Sequence, residues 1–168
     1  MIRAIAATTL VLAVLLAGGT GAAGVALGAT ASGAAFVKPV HGARISQGFG
    51  CTAVRIEPVD PACPAGHWHS GVDLAAAIGT PVYATAAGVV HILFSASGFG
   101  LHVVIDHGSI SSLYGHLSSV AVADGAYVVA GQVIGAVGSS GNSTGPHLHF
   151  EIDRGGVAED PRDVVALP

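Results

Sequence analysis

From Gly145 to Ile152 the chain reads Gly-Pro-His-Leu-His-Phe-Glu-Ile, and its alternation of polar and apolar residues fits one thing, a half-buried strand. Successive side chains of a strand point to opposite faces. His147, His149 and Glu151 therefore share one face, while Leu148, Phe150 and Ile152 pack into a core on the other. Two imidazoles side by side on the open face of a rigid strand can present nitrogen to a metal ion. Upstream, His69-Ser70-Gly71-Val72-Asp73 sets a histidine and a carboxylate four residues apart, on one face if the segment is extended. The two stretches supply a two-His, one-carboxylate set with a histidine to spare. Three protein ligands with a position left for water is the pattern of a catalytic zinc site rather than a structural one.

The chain around these stretches reads as their scaffold. Strand candidates are Arg44 to Phe49, a short run after Gly79-Thr80-Pro81, Gly88 to Phe94, Leu101 to Asp106, Ser111 to Leu117, Tyr127 to Ala130 and Gln132 to Val137. Glycine turns such as Asp124-Gly125 and Ala130-Gly131 separate them, and no amphipathic helix is evident. Cys51 to Gly66 has several prolines and no period, and reads as a loop. The expected fold is mainly β: a single domain, an antiparallel sheet or barrel-like sandwich. A Gly/Ser-rich loop, Gly138 to Gly145, leads into the metal strand.

The first part of the chain differs from the rest. Arg3 is followed by uncharged residues as far as Lys38, with Leu10 to Leu16 the most apolar run. That is the outline of a secretory signal peptide, and Ala29-Thr30-Ala31 offers a small-x-small cleavage site. An uncleaved membrane anchor is the alternative, since about 20 apolar residues span a bilayer. Residues 1–31 are thus expected to be leader or anchor, 32–37 a linker and 38–168 the folded domain. Either reading puts the domain outside the cytoplasm, secreted or in the cell envelope. Cys51 and Cys63 suit that compartment, where a disulfide would close the loop holding Pro58 and Pro61. Zinc-ligating thiolates are the other reading, but CxxC spacing is missing.

A net charge of −4 with only six basic residues argues against nucleic acid, whose phosphates need lysine and arginine. Nine histidines beside so few other bases lean toward metal binding. Not all nine carry chemistry. His69 and Asp73 alone are as well explained by a surface histidine and a turn-capping aspartate. For His147 and His149 a metal or catalytic role outweighs a surface pair, because imidazolium neighbours repel, but spacing does not decide whether both bind metal. His116 ends a strand, where exposure is the plainer reading, and His107, in Asp106-His107-Gly108, reads as a turn residue bonded to backbone. His41, His67, His91 and His102 fit no pattern and read as structural or exposed.

Taken in order, these segments resemble the lysostaphin/LytM-type zinc endopeptidases. The resemblance is carried by His69 to Leu74, Gly79 to Ala84 with Ala87 to Val90, Asp106-His107-Gly108 with Leu113 to Ser118, and Gly141 to Glu151. It implies that His69, Asp73 and His149 ligate zinc. It implies that His116 and His147 are unligated catalytic histidines, one a general base and the other a stabiliser of the oxyanion. The site would lie in a groove on an antiparallel sheet, and the substrate would be the peptides of bacterial peptidoglycan. A monomer is expected. The cysteine-bearing insert before His69 departs from the plainest members and is expected to reshape one groove wall. The alternative is a non-catalytic domain of the same fold that binds cell wall or activates another hydrolase. Lost ligands or histidines would mark that class, and here all five positions are filled.

Overall fold

The computed structural model describes residues 36–168. The expected leader or anchor, and the linker up to residue 35, lie outside the described residues. Among those described, no helix is long and apolar enough to cross a membrane.

The described chain is a succession of short strands. They are β1 (Arg44–Gln47), β2 (Gly50–Thr52), β3 (His67–His69), β4 (Val72–Ala75) and β5 (Pro81–Tyr83). Next come β6 (Gly88–Ser95), β7 (Gly100–Asp106), β8 (Ser111–Leu117) and β9 (Ser119–Val120). The last are β10 (Tyr127–Val128), β11 (Val133–Ala136), β12 (His147–Arg154) and β13 (Val157–Glu159), followed by a single 3-10 turn at Pro161–Asp163. The main sheet has the order β1-β4-β12-β8-β7-β6-β10, with β13 also paired to β12. A small sheet runs β5-β11-β9, and β2 pairs with β3 alone. All pairings are antiparallel. The mainly β, antiparallel architecture is the one the alternating runs and glycine turns predict.

One face of the main sheet meets the small sheet across the core. Leu148, Phe150 and Ile152 of β12 are buried there with Val72 and Leu74 of β4 and Val103 and Ile105 of β7. Val82 and Ile134 close it from the small sheet. Burial of each such side chain is worth about 1.5–3 kcal/mol, so the apolar half of β12 anchors the strand that carries the histidines. Tyr114 brings a hydroxyl into this core, where it accepts from the Thr85 amide (2.8 Å) and from Ser112 Oγ (2.9 Å). Burial pushes its pKa up, so it stays a neutral phenol.

Three details depart from the sequence reading. Cys51 and Thr52 are not loop but belong to β2, which pairs with the histidine-bearing β3. The two- and three-residue strands β9 and β13 were not foreseen, because so short a segment has no period to read. The linker's last residues join the fold: Phe36 packs against the core and the Val37 amide donates to Thr85 O at 2.9 Å.

Cys51 and Cys63 are joined by a disulfide across 12 residues. By the loop-entropy argument such a bridge stabilises by about 2–4 kcal/mol. Alkylation of the protein purified from an oxidising compartment, without reductant, should leave its intact mass unchanged. Two alkylated thiols would show that the bridge is not formed.

Candidate active site

The site is built on the register between β4 and β12, which sets His149 opposite Asp73 and His147 opposite Ala75. On the other side of β12, His149 lies opposite Gly115 of β8. A Cβ at Gly115 would stand 3.2 Å from His149 Cβ and 3.5 Å from Phe99 Cβ, so glycine leaves the space the two rings fill. Phe99 stacks on His149 with centroids 5.0 Å apart.

His69 and Asp73 do not lie on one extended strand. The chain bends at Ser70 and Gly71, leaving His69 at the end of β3 and Asp73 within β4. Gly71 passes so close to β12 that an added Cβ would collide with the Phe150 carbonyl and come within 3.0 Å of His149 Cε1. The bend still delivers both side chains to one point. His69 Nε2 is 3.2 Å from Asp73 Oδ1 and 3.0 Å from His149 Nδ1, and His149 Nδ1 is 3.0 Å from Asp73 Oδ1. All three residues are buried.

The backs of the two rings are committed elsewhere. His69 Nδ1–H donates to Gly48 O at 2.8 Å. His149 Nε2–H donates to Glu151 Oε1 at 2.9 Å, and Ser70 Oγ–H donates to the same carboxylate oxygen. The remaining nitrogens therefore turn lone pairs toward each other and toward a carboxylate, an arrangement that calls for a cation at its centre. Donor atoms about 2.0–2.2 Å from a tetrahedral zinc ion sit about 3.3–3.6 Å apart, so this trio needs only a few tenths of an ångström to open around one. These residues are the cluster among those described whose ligand atoms lie within metal-binding reach. Electrostatics point the same way. Burial disfavours charge at His149, but hydrogen bonds with Asp73 and Glu151 outweigh it and hold its pKa up at about 9. Asp73 resists the pull of burial because His149 and His69 surround it, and it stays well below the usual carboxylate range. Positive charge is favoured here even when it is only a proton.

His147 and His116 flank this trio with ring centroids 4.7 Å apart. His147 Nδ1–H donates to Gly145 O at 2.8 Å, leaving Nε2 open and 3.5 Å from Asp73 Oδ1. His116 Nδ1–H donates to Ser140 O at 2.7 Å and likewise leaves Nε2 open. Burial, helped by the nearby His147 and His149, lowers the His116 pKa to about 4, so the ring is neutral in ordinary buffers.

His116 reaches the site through a bulge. Along β7, Leu101 to Val103 spans two steps, while their partners Leu117 and Tyr114 on β8 are three apart. The extra residue is taken up at His116, which has φ 59°, the one positive value among the described non-glycine residues. Strict alternation would send His116 to the core side with Tyr114. The bulge reverses that and turns the ring to the site, as bulges beside active sites commonly do. Ser140, from the Gly/Ser loop, braces it by donating from Oγ to Leu117 O at 2.8 Å and accepting from the Leu101 amide at 3.0 Å.

Four of the five residues singled out in the sequence, Asp73, His116, His147 and His149, line one cavity of about 450 Å³, and His69 is fully buried behind them with Nε2 against His149. The histidines set aside lie elsewhere. His107 donates from Nδ1 to Ala87 O or shares its other nitrogen with Ser112 Oγ, both at 2.8 Å, and His102 is buried against Phe99. Glu151 was placed on the right face by alternation but given no role. It grips His149 directly from two residues along the strand and is itself bonded by Ser70, contacts that a shared strand face allows but does not specify.

The model of peptidase family M23 matches residues 67–161. The chain belongs to peptidase family M23. The M23 segment begins at β3 and ends just past β13, so it includes all five site residues. A DD-carboxypeptidase/endopeptidase of Neisseria meningitidis is 42% identical over 133 residues, 79% of this chain but 29% of its own length. The Escherichia coli murein hydrolase activator EnvC is 45% identical over 93 residues, 55% of this chain and 22% of its own. Among solved structures, a zinc-containing peptidase from Vibrio cholerae is 34% identical with a TM-score of 0.65, over 76% of this chain and 39% of that one. The catalytic domain of lysostaphin from Staphylococcus simulans is 35% identical with a TM-score of 0.60, over 72% and 90%. The lysostaphin-type resemblance read from the motifs is thereby borne out.

Gly71 offers a test of the M23 site's construction. Gly71→Ala should lower stability by about 1–3 kcal/mol, because the added methyl meets backbone rather than a flexible side chain. Thermal unfolding should shift down by roughly 3–15 °C. An unchanged midpoint would mean that β4 and β12 can separate there freely.

Proposed function

We propose that the chain is an extracytoplasmic, zinc-dependent endopeptidase that hydrolyses peptide bonds of bacterial peptidoglycan. The observation that carries this is the meeting of two imidazole lone pairs and a carboxylate beside two further histidines with open Nε2 atoms. A structural zinc site would close with a fourth protein ligand; a catalytic one leaves a position for water. A Vibrio cholerae relative named a peptidoglycan DD-endopeptidase supports peptidoglycan peptides as the substrate class, and the zinc-containing Vibrio peptidase supports zinc as the metal. Peptidoglycan as substrate fits a domain outside the cytoplasm, and a monomer is consistent with all five residues coming from one chain.

In this reading His69 Nε2, Asp73 Oδ1 and His149 Nδ1 hold the zinc. When bound, the ion brings the pKa of water to about 7 and polarises a carbonyl as a Lewis acid. The protein does the rest. Gly48 O and Glu151 fix the tautomers of the two ligating rings. His147 Nε2, beside Asp73, accepts a proton from the attacking water and returns it to the leaving amine, its ring held by Gly145 O. His116 shares the same resting tautomer, with its ring aimed by the bulge and Ser140. Its Nε2 would take up the second proton of the attacking water and, so charged, donate a hydrogen bond to the oxyanion.

The EnvC likeness favours a second reading, a wall-binding or activating domain without catalysis. Zymography on purified cell wall with and without chelator separates the two. Chelator-sensitive clearing supports the peptidase; no clearing by the metal-loaded protein supports the activator.

Elemental analysis should find one zinc per chain, lost on alanine substitution at His69, Asp73 or His149. Full zinc content in Asp73→Ala would remove Asp73 from the ligand set. His147→Ala and His116→Ala should keep zinc while cleavage falls about 10²–10⁴-fold, the usual contribution of a general acid or base. Loss of zinc in His147→Ala would make both β12 histidines ligands. Glu151→Ala should weaken zinc affinity about 10–100-fold, read by chelator competition, because it removes the acceptor behind His149. Unchanged affinity would show that Glu151 does not set that tautomer.

A further inference from the structure

The wall of the cavity across from the histidines is made by the disulfide-closed loop, through Val54, Ile56, Glu57 and Pro58. Three of these are apolar. Glu57 is the exception, and it is held firmly. Its carbonyl accepts from His67 Nδ1–H at 2.8 Å, and Pro58 O accepts from the Trp68 amide at 3.0 Å. Its carboxylate Oε1 accepts from Gln47 Nε2 at 3.0 Å. Gln47 in turn lies opposite Asp73 in the β1–β4 register, so two short links tie Glu57 to the metal-binding cluster. Asn142 Nδ2 donates to Ile56 O at 3.0 Å and fastens the same loop to the Gly/Ser loop on the histidine side.

Charge in the cavity is one-sided. No lysine or arginine lines it, and its carboxylates are Asp73 and Glu57. Arg55, two residues from Glu57, is exposed and outside the lining. Asp73 is engaged by His69 and His149. Glu57 has only a neutral amide from Gln47, and its Oε2 accepts no hydrogen bond among the described residues. A rigidly placed, half-buried carboxylate facing a cavity with apolar neighbours selects for a cationic group on whatever enters.

We propose that Glu57 binds a primary ammonium group of the substrate peptide, making the disulfide loop a specificity wall for peptides bearing a free amine. This deepens the peptidase reading and rests on it. Val54, Ile56 and Pro58 would cover small apolar side chains beside that amine.

The test uses the zinc-loaded full chain and two fluorescein-labelled peptides that differ only at one lysine, with its ε-amine free or acetylated. Binding is read by fluorescence polarisation and cleavage by mass spectrometry of the same samples. The wild type should bind the free-amine peptide about tenfold more tightly, as expected for a hydrogen bond to a charged partner. High salt should narrow the difference. Glu57→Gln should abolish the preference, Glu57→Asp should retain most of it, and Glu57→Lys should invert it. Equal binding of the two peptides by the wild type, or a preference that survives Glu57→Gln, overturns the assignment. Selective binding without cleavage supports Glu57 while refuting the endopeptidase reading; cleavage without selectivity refutes Glu57 alone.

Discussion

The pairing of β4 with β12 is the constraint on which the rest depends. Setting His149 opposite Asp73 brings a buried imidazole and a buried carboxylate into contact, and it does so through backbone hydrogen bonds rather than side-chain choice. A slip of one residue would turn the histidines into the core and Phe150 out of it. The apolar face of β12 prevents that slip, so the packing of Leu148, Phe150 and Ile152 and the placement of His147 and His149 are one decision.

Around that register the chain spends backbone groups on orientation. Gly48 O, Gly145 O and Ser140 O each receive an Nδ1–H from a histidine, and Glu151 receives the Nε2–H of His149. Each bond leaves the opposite nitrogen open toward the cavity. The lone pairs thus converge because their rings are held from behind, and outer partners of this kind commonly set both tautomer and ligand strength. The arrangement also explains why His149 turns Nδ1 toward Asp73 while His69 turns Nε2: the ring of His149 is held the other way round by Glu151, two residues along the same strand.

Much of this was legible in the sequence. Alternation over Gly145 to Ile152 identified β12 and its two faces, and glycine turns with β-branched runs identified β6, β7 and β8. The five candidate residues came partly from spacing and partly from the family resemblance, which alone gave them distinct expected roles as ligands or unligated histidines. Hidden features depend on events that leave no period. The bulge that turns His116 toward the site arises from a mismatch between β7 and β8 and shows only once both strands are paired. The break at Gly71 looked like an extended run, because a glycine needed for close approach resembles any other glycine. Glu57 was anonymous within a proline-rich loop, since its position depends on Gln47 and on the fold of β3.

The central claim is atomic: one cation held by His69 Nε2, Asp73 Oδ1 and His149 Nδ1, with His116 and His147 outside its coordination. The most direct measurement is a crystal structure of the zinc-loaded protein with anomalous data on both sides of the zinc absorption edge. The account predicts a single peak about 2.0–2.2 Å from those three atoms, with the Nε2 atoms of His116 and His147 beyond bonding distance. A peak bonded to His147, to His149 through Nε2, or lying away from this trio would contradict it.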